Sequence, residues 1–358
     1  MASGTSSSGG TRYACEATLR GAASAWNVKQ LPSGRGLAIL YGDGTIRIWN
    51  RAGGVRTLEM SCRPGGHSDT TCMDVISDSR IVAATSDFET PNQNYIEAWD
   101  VHDGRSLWML AGGHPWVHLL AAGLPHHRFV SGSQDGSLKV WELSDDGRVG
   151  RCLHTLLGHT HHVLCLEVLP DGIVLSGSND ASVRVWDAIA GHCLQTLSTG
   201  ASLCFVDPIY PLPDGRVLAY SAQTIHVWEI ATGRQIWTLD LHEDVNEVAV
   251  LGGGRVIVSV TDNCRALQVW DMTADGGVFF FWTLKGHKAN IHGVAALPGG
   301  RVASSSVDGV IKIWDVSQRR CLQTLTGHAN EVSPIVVLAD GRLVSLDDDG
   351  IAKIWYDR

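Results

Sequence analysis

The sequence is defined first by what it lacks. It has no run of eighteen apolar residues, so we expect no transmembrane helix and no membrane insertion. It has no basic cluster, and 28 Lys and Arg against 37 Asp and Glu give a net charge of −9. Such a chain is a poor ligand for a phosphate backbone, so nucleic acid is an unlikely partner class. No window keeps a period of 3.6 residues, so we expect very little helix.

Cysteine pairs and a secretion signal are also missing. The nine cysteines include no Cys-x-x-Cys, which leaves no zinc site of that type. An odd number at low density does not fit a secreted disulfide framework. The first residues, MASGTSSSGGTR, are small and polar and contain no apolar signal segment. We therefore expect an intracellular protein, cytoplasmic or nuclear, with a disordered tail over residues 1–12.

Glycine and tryptophan, by contrast, are abundant, with 40 Gly and 13 Trp in 358 residues. A Trp ends an alternating, β-branched segment about every 44 residues. Turn sequences such as Pro-Asp-Gly separate further alternating segments, as in antiparallel sheets. The pattern predicts an all-β protein of repeated four-stranded units. The recurring residues are Trp49, Trp99, Trp141, Trp186, Trp228, Trp270, Trp314 and Trp355.

Four of these units also carry His, Ser and Asp at fixed offsets before the Trp. A Gly precedes each His, and the distance from His to Trp is 27 residues in all four. The sets are His114, Ser131, Asp135 and Trp141; His159, Ser176, Asp180 and Trp186; His287, Ser304, Asp308 and Trp314; and His328, Ser345, Asp349 and Trp355. With this pattern, the chain resembles the WD-repeat β-propeller family over residues 13–358.

The resemblance implies a single closed ring of four-stranded antiparallel blades, and the Trp count predicts eight of them. The last unit stops soon after Trp355 and lacks its own outer strand. The segment CEATLRG, from Cys15, aligns without gaps with CLQTLTG, from Cys321. We therefore expect the N-terminal strand, about Tyr13–Leu19, to complete blade eight. Seven blades plus a stray strand is the alternative.

The Ser, His and Asp of each set could suggest a catalytic triad. A hydrolase needs one nucleophile, however, whereas this set occurs four times. The resemblance implies that the sets are buried hydrogen-bonded tetrads that tie the strands of a blade together. No P-loop or His-Glu-x-x-His is present. We expect no enzyme, no catalytic residue and no cofactor. The cluster around His159 and His162 lacks an acid or Cys to complete a metal site, so we expect no metal.

Two surfaces are candidates for binding. The resemblance implies docking on the face formed by the loops that lead into the inner strands and by the turns before the Trp strands. Its candidate partner-binding residues are Trp26, Phe88, Trp116, His162, Asn290 and Glu331. Aromatic residues on the outer strands either pack against the adjacent blade or form a lateral contact site. These residues are Trp108, Trp237, Phe281 and Trp282.

An Arg follows the first hairpin in seven of the eight units. The residues are Arg35, Arg80, Arg128, Arg216, Arg255, Arg301 and Arg342. Antiparallel pairing places most of them opposite the acid that follows the Trp, as in Arg128 and Glu142. Ion pairs within the blades are one interpretation, and an anion-binding ring is the other.

The function predicted from the sequence is a non-enzymatic scaffold or adaptor that binds one or more proteins on the loop face. A structural subunit of a large assembly, held through the aromatic outer strands, is the first alternative. An enzyme centred on the channel is the second, because other propeller families place active sites there.

Overall fold

A computed structural model describes residues 12–357, with gaps at 22, 51–53, 60–67, 88–93, 112–116, 145, 147–149, 201–208, 213, 222, 252–254, 261–264 and 273–277. Only the backbone is described for 68–71, 85–87, 111, 118 and 278. The predicted tail, apart from Arg12, therefore lies outside the described residues.

The described chain forms 32 strands, and its one helical element there is a 3-10 turn at Pro170–Gly172. The strands make eight antiparallel sheets of four, which are the blades. Blade 1 contains β2 (Ala25–Gln30), β3 (Gly36–Tyr41), β4 (Thr45–Asn50) and β5 (Val55–Glu59). Blade 2 contains β6 (Ser68–Ser77), β7 (Arg80–Asp87), β8 (Tyr95–Asp100) and β9 (Ser106–Ala111). Blade 3 contains β10 (Val117–Leu124), β11 (Arg128–Ser133), β12 (Leu138–Leu143) and β13 (Gly150–Leu156).

The next three blades repeat this order. Blade 4 contains β14 (Val163–Val168), β15 (Ile173–Ser178), β16 (Ser182–Asp187) and β17 (His192–Ser198). Blade 5 contains β18 (Ile209–Pro211), β19 (Arg216–Ser221), β20 (Thr224–Glu229) and β21 (Gln235–Asp240). Blade 6 contains β22 (Val245–Leu251), β23 (Arg255–Val260), β24 (Ala266–Met272) and β25 (Val278–Lys285).

The last two blades meet at the chain closure. Blade 7 contains β26 (Ile291–Leu297), β27 (Arg301–Ser306), β28 (Ile311–Asp315) and β29 (Arg320–Leu325). Blade 8 contains β30 (Val332–Val337), β31 (Leu343–Asp347), β32 (Ile351–Asp357) and, as its outer strand, β1 (Tyr13–Arg20). The N-terminal strand thus completes the last blade, as predicted, by antiparallel pairing with β32.

The core is divided among the junctions between blades. Eight apolar clusters are present, and each combines residues of two neighbouring blades, including one between blade 8 and blade 1. One sheet cannot cover both of its own faces, so every blade is stabilised by two neighbours. Eight junctions in a closed cycle confirm the eight-bladed ring and exclude the seven-bladed alternative.

The direction of the strands gives the ring two distinct faces. In each blade the inner strand runs away from the connection that leads into it, so the first hairpin lies at the opposite end. We call the face with the loops into the inner strands and the turns between second and third strands the loop face. The hairpin face carries the turns between first and second strands. Two of these turns are at residues 298–300 and 339–341.

Candidate functional site

Blade 4 contains a complete set of the repeated polar residues. His159 Nδ1 lies 2.9 Å from Asp180 Oδ2, and its Nε2 lies 2.7 Å from Ser176 Oγ. The Trp186 indole N–H donates to the same Ser176 oxygen at 2.8 Å. The set links the loop before β14 to β15, β16 and the turn between them. Each polar group thus finds a partner inside the blade, as buried groups require.

Blade 7 has the same arrangement with one contact missing. His287 Nε2 lies 2.7 Å from Ser304 Oγ, and Trp314 donates to that oxygen at 2.8 Å. His287 Nδ1 is buried and has no hydrogen-bond partner among the described residues. Asp308, the predicted fourth member, instead accepts a bond from the Val310 N–H.

In blade 8 the acid of the tetrad differs from the predicted one. His328 bonds to Ser345 Oγ at 2.7 Å, and Trp355 donates to the same oxygen at 2.8 Å. The carboxylate on His328 Nδ1, at 2.6 Å, belongs to Asp347, whereas Asp349 accepts a bond from Asn330. Asp347 ends β31 at a position where other blades have a buried Ser, so its longer side chain reaches the His first.

Blade 3 is described only in part. Trp141 donates to Ser131 Oγ at 2.8 Å, and Asp135 accepts from the Ser137 hydroxyl at 2.6 Å. His114 lies outside the described residues.

The burial of these sets argues against catalysis. The hydroxyls of Ser176, Ser304 and Ser345 are completely buried, and each is already bonded to a His and a Trp of its own blade, so none is available as a nucleophile. Burial also lowers the pKa of His159, His328 and His287, the last to about 4. The imidazoles are therefore neutral at neutral pH and serve as hydrogen-bonding links within each blade.

Blade 5 contains a polar network that the sequence patterns did not identify. Buried His226, two residues before Trp228, stacks on that ring with centroids 5.3 Å apart. Its Nε2 lies 2.9 Å from Thr224 Oγ1, and its Nδ1 lies 3.1 Å from Gln235 Nε2. A His two residues before the Trp, in a unit without the usual His, was the available signal.

Three predicted partner-binding residues lie on consecutive blades of the loop face. Trp26 is in blade 1, Glu331 leads into blade 8, and Asn290 leads into blade 7. The Glu331 carboxylate bonds to His292 of blade 7 and so bridges two blades. Exposed His162 is on blade 4, across the ring. Phe88 and Trp116 lie outside the described residues.

Trp26 is the one aromatic residue among these three loop-face residues. It is 45% exposed, whereas every other Trp of the described chain is buried or half-buried. A register shift in the β2–β3 pairing falls at Trp26, which re-aims the side chain. The ring lies against Gly42, where an added Cβ would sit 3.1 Å from its atoms, and its N–H donates to Ser24 Oγ.

The aromatic outer strands divide into covered and exposed residues. Trp108 packs over Gly150 of blade 3, where any Cβ would lie 2.2 Å from the ring. Trp237 is buried in the cluster between blades 5 and 6. Trp282 packs against the cluster between blades 6 and 7 and is covered by the Arg319 guanidinium, 4.2 Å from the ring centroid. The exposed candidates for a lateral contact are therefore Phe281 and the two Phe residues before it.

Most of the hairpin-face arginines are neutralised by acids. Arg128 pairs with Glu142 at 2.8 Å, as predicted, and Arg255 pairs with Asp271 at 3.6 Å. Arg301 lies opposite Asp315 in the β27–β28 register, but its ion-pair partner is Asp357 of blade 8, at 2.8 Å. These pairs remove the support for an anion-binding ring.

Comparison with known proteins agrees with this architecture. The model of the "WD domain, G-beta repeat" family matches residues 107–142, 150–187, 280–315 and 319–356. These are the four units with the repeated His, Ser, Asp and Trp. Four of the eight blade-length units are thus WD repeats. Each match runs from the outer strand of one blade to the third strand of the next. The sequence repeat is therefore offset by one strand from the blade. This offset agrees with a ring in which the N-terminal strand is the outer strand of the last blade.

Several curated proteins are similar to this WD-repeat chain. The nuclear distribution protein PAC1 of Arthroderma benhamiae is 28% identical over 230 residues, covering 54% of this chain and 48% of that protein. The ribosome biogenesis protein YTM1 of Phaeosphaeria nodorum is 24% identical over 305 residues, covering 82% and 60%. The chain thus spans about half the length of the first of these relatives.

Solved structures are similar over nearly the whole ring. The computationally designed Ika8 protein has a TM-score of 0.74 and 25% identity, covering 94% of this chain and 97% of its own. The WD40 β-propeller domain of Doa1 has a TM-score of 0.62 and 20% identity, covering 96% and 97%. The Doa1 likeness shows the fold alone. No helix of the described chain is long and apolar enough to cross a membrane.

Proposed function

We propose that this WD-repeat propeller is a non-enzymatic, intracellular scaffold that binds other proteins on the loop face of blades 7, 8 and 1. The exposed ring of Trp26 carries the proposal. A Trp on a rigid inner strand gives a large apolar contact at little cost in conformational entropy, and such residues dominate binding energy at interfaces. Asn290 and Glu331 supply a polar rim on the two preceding blades.

The similar proteins support a binding role and leave the partner open. PAC1 is named for nuclear distribution and YTM1 for ribosome biogenesis. Since proteins with different roles are similar in sequence to this chain, we take the common property to be a binding platform whose loops determine the partner. The names of both proteins support an intracellular location.

Quantitative affinity purification tests the loop-face proposal. We expect Trp26→Ala to lose partners that the wild-type chain retains, while its thermal unfolding stays within the range of a surface change. His162→Ala, on the far side of the ring, is the matched control and should retain them. Retention of every partner by Trp26→Ala, or equal loss with both variants, contradicts the proposal.

A second candidate is a structural role in an assembly through the edge of blade 6. Phe279, Phe280 and Phe281 on β25 are 58%, 51% and 40% exposed. An exposed apolar edge strand is a site of association. In the same purification, Phe280→Ser should remove partners that Trp26→Ala retains if this edge is the contact.

A further inference from the structure

A cleft on the hairpin face, between blades 7 and 8, differs from the other junctions. Its volume is about 740 Å³, which is within the usual range of ligand pockets. We call it the closure cleft. It is lined principally by Tyr13, Glu16, Arg301, Asp340, Arg342 and Asp357.

Asp357 is unusual for its position in the repeat. It lies two residues after Trp355, and six other units have an apolar residue at this offset. Five of these are buried and one is half-buried. They are Val101, Leu143, Ala188, Ile230, Met272 and Val316. The remaining unit has Arg51 there, so the last blade alone has a carboxylate at this offset.

Glu16 departs from the repeat in the same way. A register shift opposite the blade Trp recurs in seven outer strands, and in β1 the residue at the shift is Glu16. In the other six strands it is Leu107, Leu153, Leu194, Ile236, Phe281 and Leu322. The acid thus stands where the other blades place an apolar side chain, and it pairs with Arg342 at 3.2 Å.

Tyr13 occupies a position that is Gly in four other blades. Three of these, Gly104, Gly191 and Gly233, have positive φ because the chain turns there between the third and fourth strands. No such turn joins β32 to β1, so this position accepts a large side chain. Three departures from the repeat therefore meet in one cleft.

Two polar atoms in the closure cleft are buried and have no hydrogen-bond partner among the described residues. They are Tyr13 Oη and Asp357 Oδ1. Tyr13 is only 4% exposed, and its ring lies 5.7 Å from the Arg301 guanidinium. The other Asp357 oxygen accepts the Arg301 ion pair at 2.8 Å. Tyr13 and Asp357 are directly opposite each other in the β1–β32 pairing. Buried polar groups are rarely left unsatisfied, so an unpaired hydroxyl and an unpaired carboxylate oxygen on these two residues indicate a missing donor.

The charges that line the cleft indicate that the missing hydrogen-bond donor is a cation. Its lining contains two guanidinium groups and three carboxylates. Arg301 is engaged by Asp357, and Arg342 by both Glu16 and Asp340. An anion would meet guanidinium groups that are already neutralised, whereas a cation would meet surplus negative charge. Burial raises the pKa of Tyr13, so its hydroxyl stays neutral and able to accept a bond.

We propose that the closure cleft binds a basic side chain, arginine or lysine, of a partner protein. Its N–H groups donate to Asp357 Oδ1 and Tyr13 Oη, and the excess carboxylate compensates its charge. This site is separate from the loop face, because it lies on the opposite side of the ring. The propeller would then have two binding surfaces that act independently.

Calorimetric titration of the full chain tests the site directly. The probes are capped five-residue peptides of glycine with a central arginine, lysine or glutamate, together with inorganic phosphate. We expect saturable binding of the two basic peptides, weakened about tenfold by Asp357→Asn, since a charge-assisted hydrogen bond is lost. Asp214→Asn is the matched control. It removes a carboxylate paired with Arg216 at 2.6 Å on another blade of the hairpin face and should leave binding unchanged.

Tyr13→Phe separates ligand binding from folding. The change removes only a hydroxyl that has no hydrogen-bond partner in the described part of the chain. The melting temperature should therefore stay equal or rise while the basic peptides bind several-fold more weakly. Absence of binding to the wild-type chain overturns the proposal. So do tighter binding of phosphate or the glutamate peptide, an equal loss with Asp214→Asn, or a clear loss of stability in Tyr13→Phe.

Discussion

The side-chain amide of Gln323 holds the main chain of Tyr13 on both sides. Gln323 Oε1 accepts from the Tyr13 N–H, and Gln323 Nε2 donates to the Tyr13 carbonyl, both at 2.7 Å. The residues are 310 positions apart, on blades 7 and 8. The outer strand that closes the ring is therefore bonded to β32 in its own sheet and to its neighbouring blade.

Removal of this amide should weaken the closure. Gln323→Leu leaves two main-chain groups of Tyr13 without partners, so we expect the free energy of unfolding to fall by about 1–3 kcal/mol. Denaturant unfolding measures the loss, and hydrogen exchange should rise first in β1. Gln318→Leu, in an exposed turn of the same unit, is the control. Equal losses in the two variants would contradict this role.

Adjacent serines on β27 offer a test of the buried tetrad. Ser304→Ala removes the common partner of His287 and Trp314, so we expect a loss of roughly 2–4 kcal/mol. Ser305 is equally buried, but its hydroxyl has no hydrogen-bond partner within the described ranges. Ser305→Ala should therefore be neutral or slightly stabilising in the same denaturant titration. Similar costs for the two would show that burial, and not the hydrogen bonds, sets the effect.

Asp347 and Asp349, near the end of blade 8, should contribute unequally to the free energy of unfolding. Asp347 is completely buried and bonds to His328. Asp347→Asn weakens the link to His328, and we expect a cost of about 1–3 kcal/mol. Asp349→Asn changes only an exposed bond to Asn330 and should cost less than about 1 kcal/mol. The reverse order of melting temperatures would restore Asp349 as the tetrad acid.

Stability should depend on pH through the buried histidines. The pKa of His287 is about 4 in the fold and near 6.5 in the unfolded chain. Between these values the unfolded chain binds more protons, so stability is complete above pH 6.5 and declines as pH falls towards 4. For His287 alone the loss is about 3 kcal/mol.

Denaturant unfolding at a series of pH values checks this dependence. His159 and His328 add to it in the same direction, because burial lowers the pKa of each. His287→Gln should flatten the profile between pH 4 and 6.5 without changing its slope above 6.5. If the slope between pH 4 and 6.5 is the same in this variant as in the wild-type chain, other groups control the loss of stability at acid pH.

The sequence determined the repeat and therefore the ring. The spacing of the Trp residues and the fixed offsets of His and Ser are local regularities, and each blade is built from one short segment of chain. The alignment of the segment around Cys15 with that around Cys321 was sufficient to place the N-terminal strand in the last blade. A repeat fold can be predicted in this way because neighbouring units make most of its contacts.

Only the tertiary structure decided which polar and aromatic groups are paired or covered. Asp347 reaches His328 ahead of Asp349, and Arg301 pairs with Asp357, because the three-dimensional path of neighbouring strands sets these distances. Trp282 is covered while Trp26 is exposed, although both are simply aromatic in the sequence. The closure cleft arises in the same way, from side chains near the two ends of the chain that meet only when the ring closes.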